Sequence, residues 1–220
     1  MVRPTWDPAR SPVPYPNLAN PPLVDTISAG SEFWRAYSSR GPVNFNPGKG
    51  RPTRFAPIQV RGATLSTMYV GETKSAALSE SLFHDVPVTG PARRIPESRL
   101  ASWTLHLLVC TRELRIARLR GPGLARIGIT HGQLVESPAT EYPYTAAWAE
   151  AVLESTPDVD GLIWTSRQDS AAAALLLVDT GDANSTYLPL GGPQALDTGA
   201  GRWLVDQVAS EAAILISQGT

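Results

Sequence analysis

The sequence predicts an α+β fold, and three observations carry the prediction. Segments with strand character come in twos, at 33–37 and 67–70, 99–111 and 114–119, and 161–165 and 173–178, each couple followed by one helical segment. The strict strand–helix–strand alternation of a wholly parallel sheet is missing. The composition, 42% apolar and 18% charged, is that of a globular chain rather than a disordered one. A length of 220 residues suits one good-sized domain. No internal repeat or linker interrupts residues 31–220, which are read as a single domain preceded by an arm, residues 1–30.

The arm holds Pro4, Pro8, Pro12, Pro14, Pro16, Pro21 and Pro22. Proline at that density blocks helix and sheet ladders, so the arm is expected to be extended. Phe33–Tyr37 reads as a short strand. Residues 39–57, with four prolines and three glycines, form a long irregular loop of the kind that usually carries function. Thr67–Val70 is the next strand. Thr73 is placed to cap a helix over Lys74–His84, with Leu78, Leu82 and Phe83 as its buried stripe. At 100° per residue Glu80 falls about 60° from Phe83, at the edge of that stripe. Arg99–Thr111 reads as a strand with Trp103, Leu105, Leu107 and Val109 on one face, while Leu100 and Leu108 leave both faces partly covered. A hairpin turning through Arg112 and Glu113 would join it to Leu114–Leu119. A helix follows over Tyr144–Glu154 with a stripe of Ala147, Trp148, Ala151 and Val152. Gly161–Thr165 and Ala173–Val178 are strands, and Val208–Ser217 is a terminal helix.

Bulk properties exclude several classes. The formal net charge is -1 and the isoelectric point about 6.3. No basic excess drives sequence-independent nucleic-acid binding, so direct nucleic-acid binding is disfavoured. The single cysteine, Cys110, closes no intrachain disulfide and reads as a small buried hydrophobe. No apolar run approaches the roughly 20 residues that span a bilayer, and the Pro-rich start lacks the apolar core of a signal peptide. A soluble cytoplasmic protein is the expectation.

The chemistry-bearing candidates cluster early: Arg35 and Tyr37 in the first strand, Arg54 in the loop, Tyr69 in the second strand, and Glu80 on the helix. A guanidinium holds a phosphate through paired hydrogen bonds. An aromatic ring offers a stacking surface. A carboxylate beside a sugar stabilises the cation formed when a glycosidic bond breaks. Each residue alone has an ordinary reading: an ion-pair partner for Arg35, a solvated surface group for Arg54 and Glu80, a packing ring for Tyr37 and Tyr69. Ser166, just past a strand end, is either a ligand contact or a turn serine. His84, His106 and His131 lack ligand spacing, so no metal is expected. Neither GxGxxG nor GxxxxGK[ST] occurs, and GxSxG is absent.

Taken in order, Trp34-Arg35, Arg54-Phe55-Ala56-Pro57, Tyr69-Val70-Gly71, Ala77-Leu78-Ser79-Glu80, Tyr142-Pro143-Tyr144-Thr145-Ala146-Ala147-Trp148-Ala149 and Asp160-Gly161-Leu162-Ile163-Trp164-Thr165-Ser166-Arg167 resemble the RES domain family over about residues 31–180. The arginine element departs from the family pattern, with Thr53 where a glycine precedes the arginine. The resemblance implies a fold similar to ADP-ribosyltransferases, with a central mixed sheet flanked by helices. It implies the toxin of a bacterial toxin–antitoxin pair, paired with an Xre-type antitoxin that covers the site, and a reaction on NAD.

On that resemblance Glu80 would stabilise the oxocarbenium ion left when nicotinamide departs, making Glu80 and Arg35 the catalytic pair. Arg35 and Arg54 would hold the diphosphate, Tyr37 or Tyr69 would stack on nicotinamide, and Ser166 would position its ribose or amide. NAD is then the substrate, with no metal required. The acceptor of the ADP-ribosyl group stays open between water, phosphate and a protein side chain. A catalytically silent binding module of the same fold is the reading from another class.

Overall fold

The computed structural model describes residues 13–38, 43–88, 90, 93–181 and 186–218. The first part of the arm, residues 1–12, lies outside the described residues. In chain order the strands are β1 (Val24–Ile27), β2 (Glu32–Tyr37), β3 (Ile58–Val60), β4 (Ala63–Leu65), β5 (Thr67–Gly71), β6 (Arg94–Pro96), β7 (Thr104–Cys110), β8 (Leu114–Arg118), β9 (Gly161–Thr165), β10 (Ala173–Val178), β11 (Tyr187–Ala195) and β12 (Leu215–Ser217). The α-helices are α1 (Lys74–Ser79), α2 (Pro122–Ile127), α3 (His131–Leu134), α4 (Tyr142–Ser155) and the terminal helix, here α5 (Gly199–Glu211).

An eight-stranded mixed sheet runs in the order β1-β8-β9-β10-β5-β2-β7-β11, with two-stranded pieces β12-β6 and β3-β4 beside it. Its pairs are antiparallel except β8–β9. Parallel neighbours need a long crossover, and α2, α3 and α4 supply it. The fold is therefore α+β, a large curled sheet flanked by helices.

The central strands of this sheet, β9 and β10, are buried on both faces. In β9 and β10, Leu162, Trp164, Ala174 and Leu176 pack toward the helices with Trp148, Val152 and Leu124. The residues between them, Ile163, Ala173, Leu175 and Leu177, pack on the opposite face with Phe33, Met68, Leu108 and Leu114. Strands buried on both sides read as continuous apolar runs, which is why these two were visible with their ends in place. Cys110 lies in the second of these clusters, and burial pushes its thiol up to about 11. A third cluster joins Leu78, Leu82 and Phe83 to Leu105, Val205 and Val208 beneath α5.

Four expectations are corrected. The helix over Lys74–His84 stops at Ser79, and Glu80 is its C-cap: Phe83 N–H reaches back to Leu78 O at 3.0 Å, and the Ser81 hydroxyl donates to Ala77 O. The expected hairpin between β7 and β8 does not form. β7 pairs with β2 and β11, and β8 with β1 and β9. Asp160 captures the turn from the β9 side, accepting from Arg115 N at 2.8 Å and Arg112 Nη2 at 2.5 Å. The terminal helix spans Gly199–Glu211 rather than 208–217, and Leu215–Ser217 is a strand beside β6. The inward stripe of α4 is Thr145, Trp148, Ala149 and Val152, while Ala147 and Ala151 are only half-buried.

The described part of the arm is bound to the body. Val13 is buried in the helix-side cluster. Trp148 Nε1 donates to Pro14 O at 2.7 Å and Ala19 N–H to Ile127 O at 3.3 Å. β1 then pairs with β8 over four residues, Val24 to Ile27. Among the described residues, no helix is long and apolar enough to cross a membrane.

Candidate functional site

The cleft exists because two neighbouring strands part. β2 and β5 share a single register pair, Trp34 with Gly71. Beyond it Arg35–Tyr37 and Thr67–Tyr69 diverge and line a cleft of about 470 Å³. Further along, Asn46 closes the gap by exchanging both backbone hydrogen bonds with Thr67 at 2.8 Å. The Pro/Gly-rich loop forms one wall, contributing Lys49, Arg51, Thr53 and Arg54. The end of α1 contributes Ser79, Glu80 and Ser81, and the segment after β9 contributes Arg167 and Gln168.

Glu80 is held by three donors. Its Oε1 accepts from the Ser166 hydroxyl and from Arg167 N–H, each at 2.8 Å, and Oε2 accepts from Trp164 Nε1 at 3.3 Å. All three donors belong to the end of β9 and the turn after it. The C-cap position matters here: a carboxylate inside the helix would be fixed by the helix, whereas this one is aimed by a neighbouring strand. Ser166 itself is 1% exposed and does not line the cleft.

Arg35 sits between Phe33 and Tyr37 on the interior face of β2. Its Nη1 spans the strand gap to Tyr69 O at 2.6 Å, and its Nε is buried with no partner. Among the described residues, no carboxylate lies within ion-pair distance of it. Burial lowers its pKa to about 10, opposed by the rings of Tyr187, Tyr37 and Tyr69, so it stays cationic at neutral pH. A half-buried guanidinium without a counterion and facing a cleft is prepared for an anion.

Arg54 is also buried, but much of it is engaged in structure. Its Nη1 donates to Leu134 O, Ser137 O and Ser137 Oγ at 3.0–3.2 Å, and its guanidinium lies 5.3 Å from the centre of the Tyr142 ring. Burial lowers its pKa; Tyr142 and Glu80 oppose that, and the Arg167 cation adds to it. Arg54 therefore both ties the loop to the crossover helices and contributes charge to the cleft wall. Thr145 of α4 anchors the same residue by donating to Arg54 O.

Tyr37 and Tyr69 both line the cleft. The Tyr69 hydroxyl is 2.9 Å from Thr53 Oγ1 and accepts from Phe55 N–H at 3.0 Å, so it fastens the loop to β5. Its ring meets Trp164 edge-on at 5.8 Å. Burial pushes its hydroxyl up to about 12 despite those hydrogen bonds, and burial likewise raises Tyr37. Both phenols stay neutral across the physiological range.

The structure thus brings Arg35, Tyr37, Arg54, Tyr69 and Glu80 to one cleft, with Ser166 directly behind Glu80. Sequence reasoning missed Arg167, whose Nε is buried without a partner and whose side chain lines the same cleft, and Tyr142 beneath Arg54. Both lay inside runs already singled out, Tyr142-Pro143 and Ser166-Arg167. Lys49 and Arg51, also on the wall, carried no signal beyond their charge.

The fold is similar to a chain in the crystal structure of the M. tuberculosis MbcT–MbcA toxin–antitoxin complex, with a TM-score of 0.59 and 12% identity, covering 84% of this chain and 92% of that one. At that identity the likeness bears on fold alone. No curated protein sequence matches. The family model of the RES domain matches residues 32–195, a span that holds the whole cleft from Arg35 to Gln168 and most of the chain. On that match the chain belongs to the RES domain family.

Proposed function

We propose that the protein is an NAD-consuming toxin that breaks the bond between nicotinamide and ribose. The observation that carries this reading is the presence in one cleft of Glu80, fixed by three donors, and of the half-buried, uncompensated cation of Arg35. Arg35 and the outward part of Arg54 hold the diphosphate. The nicotinamide ring lies against Tyr37 or Tyr69. The bond from ribose C1′ to the ring nitrogen breaks, its electron pair leaves with nicotinamide, and the positive ring nitrogen becomes neutral. Glu80 stabilises the cation left on the ribose. Water or phosphate then attacks C1′ and loses a proton. Ser166 acts through Glu80 as a positioning residue.

The test is incubation of purified protein with NAD, following free nicotinamide and identifying the second product. ADP-ribose or its 1″-phosphate is the expected product, whereas ADP-ribose attached to protein makes a protein ADP-ribosyltransferase of it. NAD that stays intact overturns the reading. Expression alone in bacteria should stop growth and lower cellular NAD. Co-expression with an antitoxin of the Xre helix-turn-helix type, covering the cleft, should relieve both. None of the arm's described residues, 13–30, lines the cleft.

Two substitutions grade the machinery. Arg35→Lys should weaken NAD binding by about 10-fold, because an ammonium cannot reproduce a planar fork. Titration of NAD into Glu80→Gln protein with and without the change measures it, and equal affinities make Arg35 structural. Ser166→Ala leaves Glu80 with Arg167 N–H and Trp164. It should lower kcat by about 10-fold with KM little moved. A fall in thermal midpoint with kcat intact would reduce Ser166 to a packing role.

A further inference from the structure

The cleft has more positive charge than NAD requires. Among the described residues, Arg35, Lys49, Arg51, Arg54 and Arg167 line it against one carboxylate, Glu80. With the nicotinamide ribose at Glu80, the diphosphate falls to Arg35 on one wall and Arg54 and Arg167 on the other. Lys49 and Arg51 are left over. Both are exposed, and among the described residues neither has a carboxylate within ion-pair distance.

These two side chains stand on a shaped rim. The Asn46 side chain brackets the Lys49 backbone, accepting from its N–H and donating to its C=O, each at 2.9 Å. Asn46 is itself paired to Thr67 of β5. Gly48, at φ +79°, passes so close to β4 that a Cβ would lie 2.5 Å from Thr64 Cγ2. On the other side of Arg51, Thr53 is bound to the Tyr69 hydroxyl at 2.9 Å. The loop is thus pinned to β5 at both ends, through Asn46 and Thr53. With its nicotinamide half at Glu80, a dinucleotide can run its adenosine half along this exposed rim.

We infer that Lys49 and Arg51 form a subsite for a phosphate on the adenosine ribose, so that the preferred substrate is a phosphorylated dinucleotide of the NADP class. This rests on the cleft being the NAD-cleaving site. A phosphomonoester carries between one and two negative charges at neutral pH. It meets two uncommitted cations, one of them a guanidinium able to bind it through two hydrogen bonds.

The experiment compares kcat/KM for NADP and NAD, at low and at high salt. NADP should be favoured by about 10-fold or more at low salt, with the ratio shrinking as salt screens the exposed pair. The double variant Lys49→Ala/Arg51→Ala should lower kcat/KM for NADP far more than for NAD and bring the ratio near one. A second measurement needs no turnover: Glu80→Gln protein should bind 2′,5′-ADP about 10-fold more tightly than 5′-ADP, and the double variant should abolish the difference. NAD consumption without a preference for NADP, or a preference that survives the double variant, overturns the subsite. If neither dinucleotide releases nicotinamide but 2′,5′-ADP still binds more tightly, the cleavage reading falls and the subsite stands. Equal binding of the two ADP probes removes the subsite whatever the turnover.

Discussion

Glu80→Gln should cut nicotinamide release by at least about 10²-fold, the usual effect of removing one group that stabilises transition-state charge. Volume and shape are almost preserved, so the loss reports charge. The hydrogen-bond pattern limits how silent the change is for stability. Oε1 carries two donors, Ser166 and Arg167 N–H, and the amide oxygen of the new side chain keeps that place. Its NH2 group then faces Trp164 Nε1, a donor opposing a donor where the carboxylate had accepted at 3.3 Å. Losing that bond costs about 1–2 kcal/mol. For a domain of this size the thermal midpoint should fall by a few degrees, at about 2–4 °C per kcal/mol. Activity is therefore compared well below the melting range. A folded Gln variant that turns over NAD like the wild type removes Glu80 from the mechanism.

What the sequence revealed and what it hid divide along physical lines. β9 and β10 were legible to the residue because both faces are buried and the chain writes them as unbroken apolar runs. β11 carries no strand signal in the sequence: it is an edge strand of Leu-Pro-Leu-Gly-Gly-Pro, with Leu188 and Leu190 exposed and a register shift between Leu190 and Gln194. Its pairing with β7 is non-local, and local pattern says nothing of it. The terminal helix begins at Gly199, in a stretch whose glycines are weak helix formers and so hide its start. Gly201 is there because the helix begins against β11, where a Cβ would meet Ala195 O at 1.9 Å. The absent hairpin follows the same logic: its outcome depends on Asp160, distant in sequence.

The candidate site was legible chiefly as an ordered set of short motifs. No single residue of that set revealed its role. Arg35, Tyr37, Arg54, Tyr69 and Glu80 do share the cleft. The place of Ser166 behind Glu80 depends on a contact between residues 86 apart in sequence, and spacing rules do not reach that far; the end of α1 at Ser79 is set locally, by bonds from Ser81 and Phe83 back to Ala77 and Leu78.

Gly71→Ala should be a strongly damaging conservative change in the sheet. Gly71 ends β5, buried, paired to Trp34 on one side and Ala174 on the other. A Cβ there would lie 2.4 Å from Ala77 N and 2.9 Å from Ala76 C. Those atoms are helix backbone, so no side-chain rotamer relieves the clash. Either α1 lifts off β5 or the strand withdraws from its partners. α1 has six residues, of which Ala76, Ala77, Leu78 and Ser79 are buried, so lifting it off β5 also opens the cluster that Leu78 shares with Leu105 and Val205. Overpacking of this kind costs about 1–3 kcal/mol in a yielding core and more against a backbone. About 2–4 kcal/mol and a fall of about 5–12 °C in thermal midpoint are expected. Because Glu80 is the C-cap of α1, displacement of the helix also moves the carboxylate relative to Ser166 and Arg167, so kcat in the folded fraction should fall together with stability. Gly192→Ala is the control, since a Cβ there meets nothing within 4 Å, and its effect should stay within about 0.5 kcal/mol. A Gly71→Ala protein that melts where the wild type does would show that α1 does not depend on this close approach, and that Glu80 is placed by β9 alone.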